Sequence, residues 1–204
     1  QMIYEIADSS IQNQLLRCIP YAISNKNINL IEFLLNIKPP MSSDLISAIL
    51  THDVEIVDII LKYNKKPSYF VNNFSKYGPP IYLAASSKDI DIVKLLLSVP
   101  GIDPSITNKS GDSALIVAIN NYDVDMVNVL LDFYGDDIIF DFTTVAKFFL
   151  SIQKNLNGTQ TDKLMWQIIK RFLSIKSIDP NCSLGNQTIL YRACTDNNFE
   201  IVEF

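Results

Sequence analysis

Ile90-Asp91-Ile92-Val93-Lys94-Leu95-Leu96-Leu97 returns 34 residues later as Val124-Asp125-Met126-Val127-Asn128-Val129-Leu130-Leu131. Earlier copies are Ile28-Asn29-Leu30-Ile31-Glu32-Phe33-Leu34-Leu35 and Val54-Glu55-Ile56-Val57-Asp58-Ile59-Ile60-Leu61, and a shorter one is Phe199-Glu200-Ile201-Val202-Glu203-Phe204. Each copy keeps apolar residues at i, i+1, i+4 and i+5, for example Ile92, Val93, Leu96 and Leu97, which is one face of a helix. A repeat of this period cannot bury its apolar face within one unit, so units must stack on their neighbours.

Working backward, an alanine stands eight residues before the first apolar position of every copy: Ala22, Ala48, Ala84, Ala118 and Ala193. The chain has only nine alanines, so five in one register mark a constraint, and a small side chain lets the next helix approach closely. A short polar turn separates each alanine from its apolar helix, as in Asn25-Lys26-Asn27, His52-Asp53, Ser87-Lys88-Asp89 and Asn121-Tyr122-Asp123. Each unit therefore reads as two antiparallel helices with a tight connection. Working forward, Ile102-Asp103-Pro104-Ser105 recurs as Ile178-Asp179-Pro180-Asn181, and proline forbids helix continuation there. Gly111 and Gly185 follow these turns, ahead of Ser113 and Thr188 as N-caps of the next first helix.

With this pattern assembled, the chain resembles the ankyrin repeat family. Gly78-Pro79-Pro80-Ile81-Tyr82-Leu83-Ala84-Ala85, Gly111-Asp112-Ser113-Ala114-Leu115-Ile116-Val117-Ala118 and Thr188-Ile189-Leu190-Tyr191-Arg192-Ala193 carry the likeness, each followed by its Ile-Val or Met-Val helix. The resemblance implies an all-α ankyrin-type repeat solenoid of about six helix-turn-helix units, two of them irregular, running over residues 1–204 as a single elongated array. The family's usual His near the start of the first helix is replaced by Tyr82, Ile116 and Tyr191. Ala22 and Ala48 are only 26 residues apart, too close for a full finger after Leu35. Ala118 and Ala193 are 75 apart, so a degenerate unit lies between, with helices expected near 142–153 and 162–173 and a loop at 155–160.

Composition narrows the function. Hydrophobic residues make up 48% and charged residues 19%, which excludes a disordered chain. The net charge is −5, with three arginines (Arg17, Arg171, Arg192), so nothing prepares a surface for nucleic-acid phosphates. No run of 18 uncharged apolar residues offers a membrane span. Cys18, Cys182 and Cys194 show no paired or metal-binding spacing, and a reducing, cytoplasmic setting with the thiols as small core residues is expected. No secretory signal is visible at Gln1-Met2-Ile3-Tyr4-Glu5. A first residue other than Met, and an end at Phe204 inside a helical pattern, suggest a piece of a longer chain.

No catalytic set emerges. His52 is the sole imidazole and falls in a repeat turn, Asp136, Asp137 and Asp141 read as a solvated loop, and no Gly-rich phosphate loop is present. Asn-x-Ser/Thr triplets at Asn73, Asn108, Asn157, Asn181 and Asn186 fall where turns favour Asn and Ser. Phe148, Phe149, Trp166 and Phe172 read as core aromatics of the irregular unit.

The resemblance implies a non-catalytic scaffold without cofactor or metal that binds partner proteins along its concave face and finger tips. Carried onto this chain, the contacts are Phe74, Lys76 and Tyr77 on one finger, Asn108, Lys109 and Asp112 on the next, and Leu184 and Asn186 on the last, with Asn120 and Asn121 flanking the groove. The competing expectation is a targeting or assembly arm of a larger enzyme or channel whose working domain lies outside 1–204.

Overall fold

The structure is a computed structural model and describes residues 17–64, 67–135, 148, 161–175, 178–179, 183–184, 187–188, 191 and 194. Ten helices and one short ladder are described: α1 (Cys18–Ser24), α2 (Ile28–Ile37), α3 (Ser42–Ile49), α4 (Val54–Lys62), α5 (Pro67–Val71), α6 (Pro80–Ser86), α7 (Ile90–Leu97), α8 (Ala114–Asn120), α9 (Val124–Tyr134), α10 (Thr161–Leu173), β1 (Ser183–Leu184) and β2 (Gln187–Thr188). The chain divides into two compact units, Gln1–Gly111 and Asp112–Phe204.

In the first unit the alternation of short and apolar helices becomes two stacked rows. First helices α1, α3 and α6 pack in succession, second helices α2, α4 and α7 do the same, and each first helix packs on its own second helix. The alanine register explains the tight row: Ala22, Ala48 and Ala84 are all buried. The apolar stripes Ile31/Leu34/Leu35, Ile56/Val57/Ile60 and Ile92/Val93/Leu96 are buried with them, and Leu97 is half-buried. In the second unit α8 packs on α9 and α9 on α10, over Ala118, Met126, Val127, Leu130 and Leu131.

Local chemistry ends one helix and starts the next. Lys26, His52, Lys88 and Tyr122 each take φ between 51° and 62°, the left-handed conformation that closes a helix. In three turns the next amide then bonds back to the register alanine: Asn27 N–H to Ala22 (2.9 Å), Asp89 N–H to Ala84 (3.0 Å) and Asp123 N–H to Ala118 (3.0 Å). The same residues open the second helix. Asn27 and Asp123 accept from the backbone N–H of Leu30 (3.1 Å) and Met126 (3.0 Å), and Asp53 accepts from Glu55 and Ile56. Ser113 caps α8 through the Ile116 N–H, and Thr188 accepts from the Tyr191 N–H, as their spacing predicts.

Charge is sorted between the two kinds of helix. Glu32, Glu55, Asp58, Lys62, Asp91, Lys94, Asp125 and Asp132 all lie on second helices α2, α4, α7 and α9. First helices α1, α3, α6 and α8 carry one Asp, Glu, Lys, Arg or His among them, Asp44, and it is buried with its carboxylate accepting the Met41 N–H at 2.8 Å.

The irregularities follow the spacing. Only Lys38–Met41 connect α2 to α3, so no finger forms there. The expected helix near 162–173 is α10, whereas the expected helix at 142–153 and loop at 155–160 lie outside the described residues apart from Phe148. Phe148 stacks on Phe172 at 3.8 Å with both fully buried, and Trp166 on α10 is buried as well, so these three aromatics are core residues. One expectation needs correcting. Cys18 is half-buried and Cys194 is exposed, so neither thiol is a core residue: the position after the register alanine is sealed at Ala85 but open to solvent at Cys194.

Candidate protein-docking surface

In the first unit the longest connection between a second helix and the next first helix is the one from α4 to α6. Pro67 starts α5, a five-residue helix that fixes its first φ at no hydrogen-bonding cost. The chain then forms a tight hairpin turn over Ser75–Gly78, with reciprocal backbone bonds of 3.2 and 3.1 Å between its end residues. The Ser75 hydroxyl reinforces it by accepting from the Tyr77 N–H (3.1 Å) and donating to the Gly78 carbonyl (2.7 Å). Gly78 is required: its φ is +114°, and a Cβ there would stand 2.9 Å from Tyr82 Cδ1.

Lys76 and Tyr77 therefore occupy the tip, where the Lys76 ammonium lies 4.6 Å from the centre of the Tyr77 ring. Tyr77 is 52% exposed and Phe74 45% exposed, so two aromatic faces and a cation are presented together. The next finger runs alongside, since a Cβ on Gly78 would be 3.5 Å from Asn108 Cβ. Asn108 shapes that finger by accepting the Ser110 N–H on its side chain (2.8 Å) and the Gly111 N–H on its carbonyl (3.0 Å), which leaves Lys109 exposed at the bend.

The other expected contacts are placed apart. Asp112 is half-buried at the start of the second unit, just before the cap Ser113. Asn120 is exposed and Asn121 half-buried at the far end of α8, about 10 Å along the helix from Ser113. Leu184 pairs with Gln187 across the two-residue ladder, and Asn186 lies outside the described residues.

Two features have no echo in the repeat. Asn72 clamps the two connections of the first unit: its side-chain N–H donates to the Gly101 carbonyl (2.8 Å) and its Oδ1 accepts the Asp103 N–H (2.9 Å). Gly101 permits this contact, because its φ is +79° and a Cβ would stand 2.8 Å from Ser68 Cβ of α5. The second feature is an open apolar groove of about 450 Å³, lined by Pro39–Ser42, Asn64, Tyr69 and Phe70, where the missing finger faces α5.

Titration adds little chemistry. Burial raises the Asp44 pKa above the ordinary carboxylate value, although the Met41 N–H and Lys38 act the other way. For Asp53 burial also works against ionisation, but hydrogen bonds from Lys26, Ile56 and Glu55 outweigh it and hold the pKa low. Among the described residues no group of three His, Cys, Asp or Glu could hold a metal ion, and no helix is long and apolar enough to cross a membrane.

No curated protein matches the chain. A crystal structure of an ankyrin repeat domain from Acinetobacter baumannii AYE is similar in fold, with a TM-score of 0.67 at 20% identity over 91% of this chain and 94% of that one. The sequence profile for three copies of the ankyrin repeat matches residues 19–108 and again 81–166. Ankyrin repeats generally mediate protein–protein interaction and are typically non-catalytic modules. The buried alanine register, the paired helices and these matches together make the chain a member of the ankyrin repeat family.

Proposed function

We propose that this chain is a non-catalytic scaffold of the cytoplasm that holds a partner protein along its first-helix surface and finger tips. The observation that carries this reading is the Ser75–Gly78 hairpin, which holds Lys76 and Tyr77 in contact and in solvent beside the exposed Phe74. Aromatic residues and a stacked cation on a hydrogen-bonded turn lose little side-chain freedom when covered, which favours an interface hot spot. Asn108 and Lys109 on the adjacent finger extend this contact surface within the first unit, and in the second unit Asp112, Asn120, Asn121, Leu184 and Asn186 are the proposed contacts.

The test is affinity capture from the source cell with the wild-type chain and a Phe74→Ala/Tyr77→Ala variant. Both side chains are exposed, so the variant folds. The expected result is a partner retained by the wild type and lost by the variant, and equal capture by both removes this finger from the interface.

A further inference from the structure

We propose that the groove between the Lys38–Met41 connection and α5, continued onto the Ser75–Gly78 hairpin, takes an acidic peptide segment that carries an apolar anchor side chain. This deepens the docking-surface reading and rests on it. Three observations converge.

The first is shape and lining. A finger is absent where Lys38–Met41 turn directly into α3, and the notch left behind is apolar and about 450 Å³, a size suited to bulky side chains. Met41 is 50% and Tyr69 72% exposed on its rim, large apolar surfaces that a monomeric surface seldom leaves adjacent without use.

The second is charge. In a chain of net charge −5, no acidic residue occurs between Asp58 and Asp89, while Lys62, Lys65, Lys66, Lys76 and Lys88 do. Lys62 is paired with Asp58, and Lys88 lies in a turn between helices. Lys65 and Lys66 follow the groove residue Asn64 directly in the sequence, and Lys76 sits at the hairpin tip. Residues 59–88, which supply Asn64, Tyr69 and Phe70 to the groove, are thus the longest acid-free stretch of an acidic chain, and their lysines favour an anion.

The third is continuity. The Asn73 side chain donates to the Ser42 hydroxyl at 2.8 Å, which ties the approach to the hairpin onto the groove wall. An extended segment leaving the groove passes Asn73 and reaches Phe74, Lys76 and Tyr77 without crossing an acidic side chain of this stretch. Nothing here matches the phosphate spacing of nucleic acid, since the arginines that would fork onto phosphates are absent from residues 18–170.

The experiment measures fluorescence anisotropy of the full chain with three labelled peptides of about twelve residues. One alternates Asp/Glu with Leu/Phe, one has Lys in place of the acids, and one keeps the acids but has Ser in place of the anchors. Oligo(dT) and phosphatidylserine vesicles test the other anionic surfaces. The expected result is that the first peptide binds about tenfold more tightly than the other two. Its binding weakens about threefold or more between roughly 50 and 300 mM salt. Tyr69→Ser and Met41→Ser each weaken it about fivefold, with urea midpoints unchanged because both side chains are exposed.

Equal binding of the Lys peptide, tighter binding of oligo(dT) or vesicles, or indifference to both groove variants overturns the proposal. If the groove variants have no effect while Phe74→Ala/Tyr77→Ala still abolishes partner capture, the groove assignment falls and the docking-surface reading stands. If capture is also indifferent to the finger, both fall.

Discussion

His52 Nδ1 lies 2.7 Å from Asp89 Oδ2, although 37 residues separate them. The carboxylate can only accept, so Nδ1 is the protonated ring nitrogen of this contact. The geometry repeats one step earlier, where Lys26 Nζ lies 3.2 Å from Asp53 Oδ2. In both cases the left-handed turn residue of one unit reaches the N-cap aspartate of the following unit. Asp89 makes no side-chain bond to its own helix, so its carboxylate is committed to the neighbour. A double-mutant cycle over the equivalent charged pair, Lys26→Ala and Asp53→Ala, is expected to give a coupling of about 1 kcal/mol or less, shrinking with salt, because the Lys26 side chain is exposed. A coupling that salt leaves unchanged would contradict a screened surface contact.

The four left-handed turn residues carry side chains where glycine would be unstrained. Lys88, at φ 62°, makes the cleanest test. Lys88→Gly is expected to raise stability by up to about 1 kcal/mol, and Lys88→Val to lower it by about 1–2 kcal/mol. Urea melts with a shifted midpoint and constant slope would show both effects, and a Val variant as stable as wild type would deny the strain.

Leu96 is fully buried in the best-formed part of the stack. Leu96→Ala is expected to cost about 2–5 kcal/mol as a cavity. A loss below half of the lower figure would mean that α7 repacks without it.

Asp44 and Asp53 predict opposite pH responses. The folded Asp44 holds its proton above the ordinary range near pH 4, so its contribution is best below that range and declines as pH rises through the raised value. Asp44→Asn keeps an acceptor for the Met41 N–H and loses the buried charge, so its stability relative to wild type should improve from about pH 3 to pH 7. The folded Asp53 is held low, so its contribution is full above about pH 4 and lost as pH falls below that. The penalty of Asp53→Asn should therefore fade in acid. Parallel pH profiles for the two variants would refute the assignment.

The helical rows were legible because their cause is local and periodic. Ala22, Ala48, Ala84 and Ala118 mark close packing, and Asn27, Asp53, Ser113 and Asp123 sit where a helix needs a cap. The sequence also exposes the missing finger, since four residues cannot make one. The turns read as polar, but the left-handed state of Lys26, His52, Lys88 and Tyr122 did not, because none of them is glycine. The His52–Asp89 contact, the Asn72 clamp and the groove join residues about 30 apart or more through geometry that no periodicity encodes. For the same reason the exposed Tyr69, in a five-residue helix with no counterpart in other units, was not among the expected contacts. Phe74, Lys76 and Tyr77 were legible together because one short turn contains them all.

Placing the exposed helical charges on the second helices separates two properties that usually drift together. Exchanges among Glu32, Glu55, Asp91, Lys94 and Asp125 alter the isoelectric point and the long-range field. They leave the hydroxyl, amide and tyrosine texture of α1, α3, α6 and α8 untouched. Overall acidity can therefore be altered through the second helices of either unit while the first helices of each keep one chemical character.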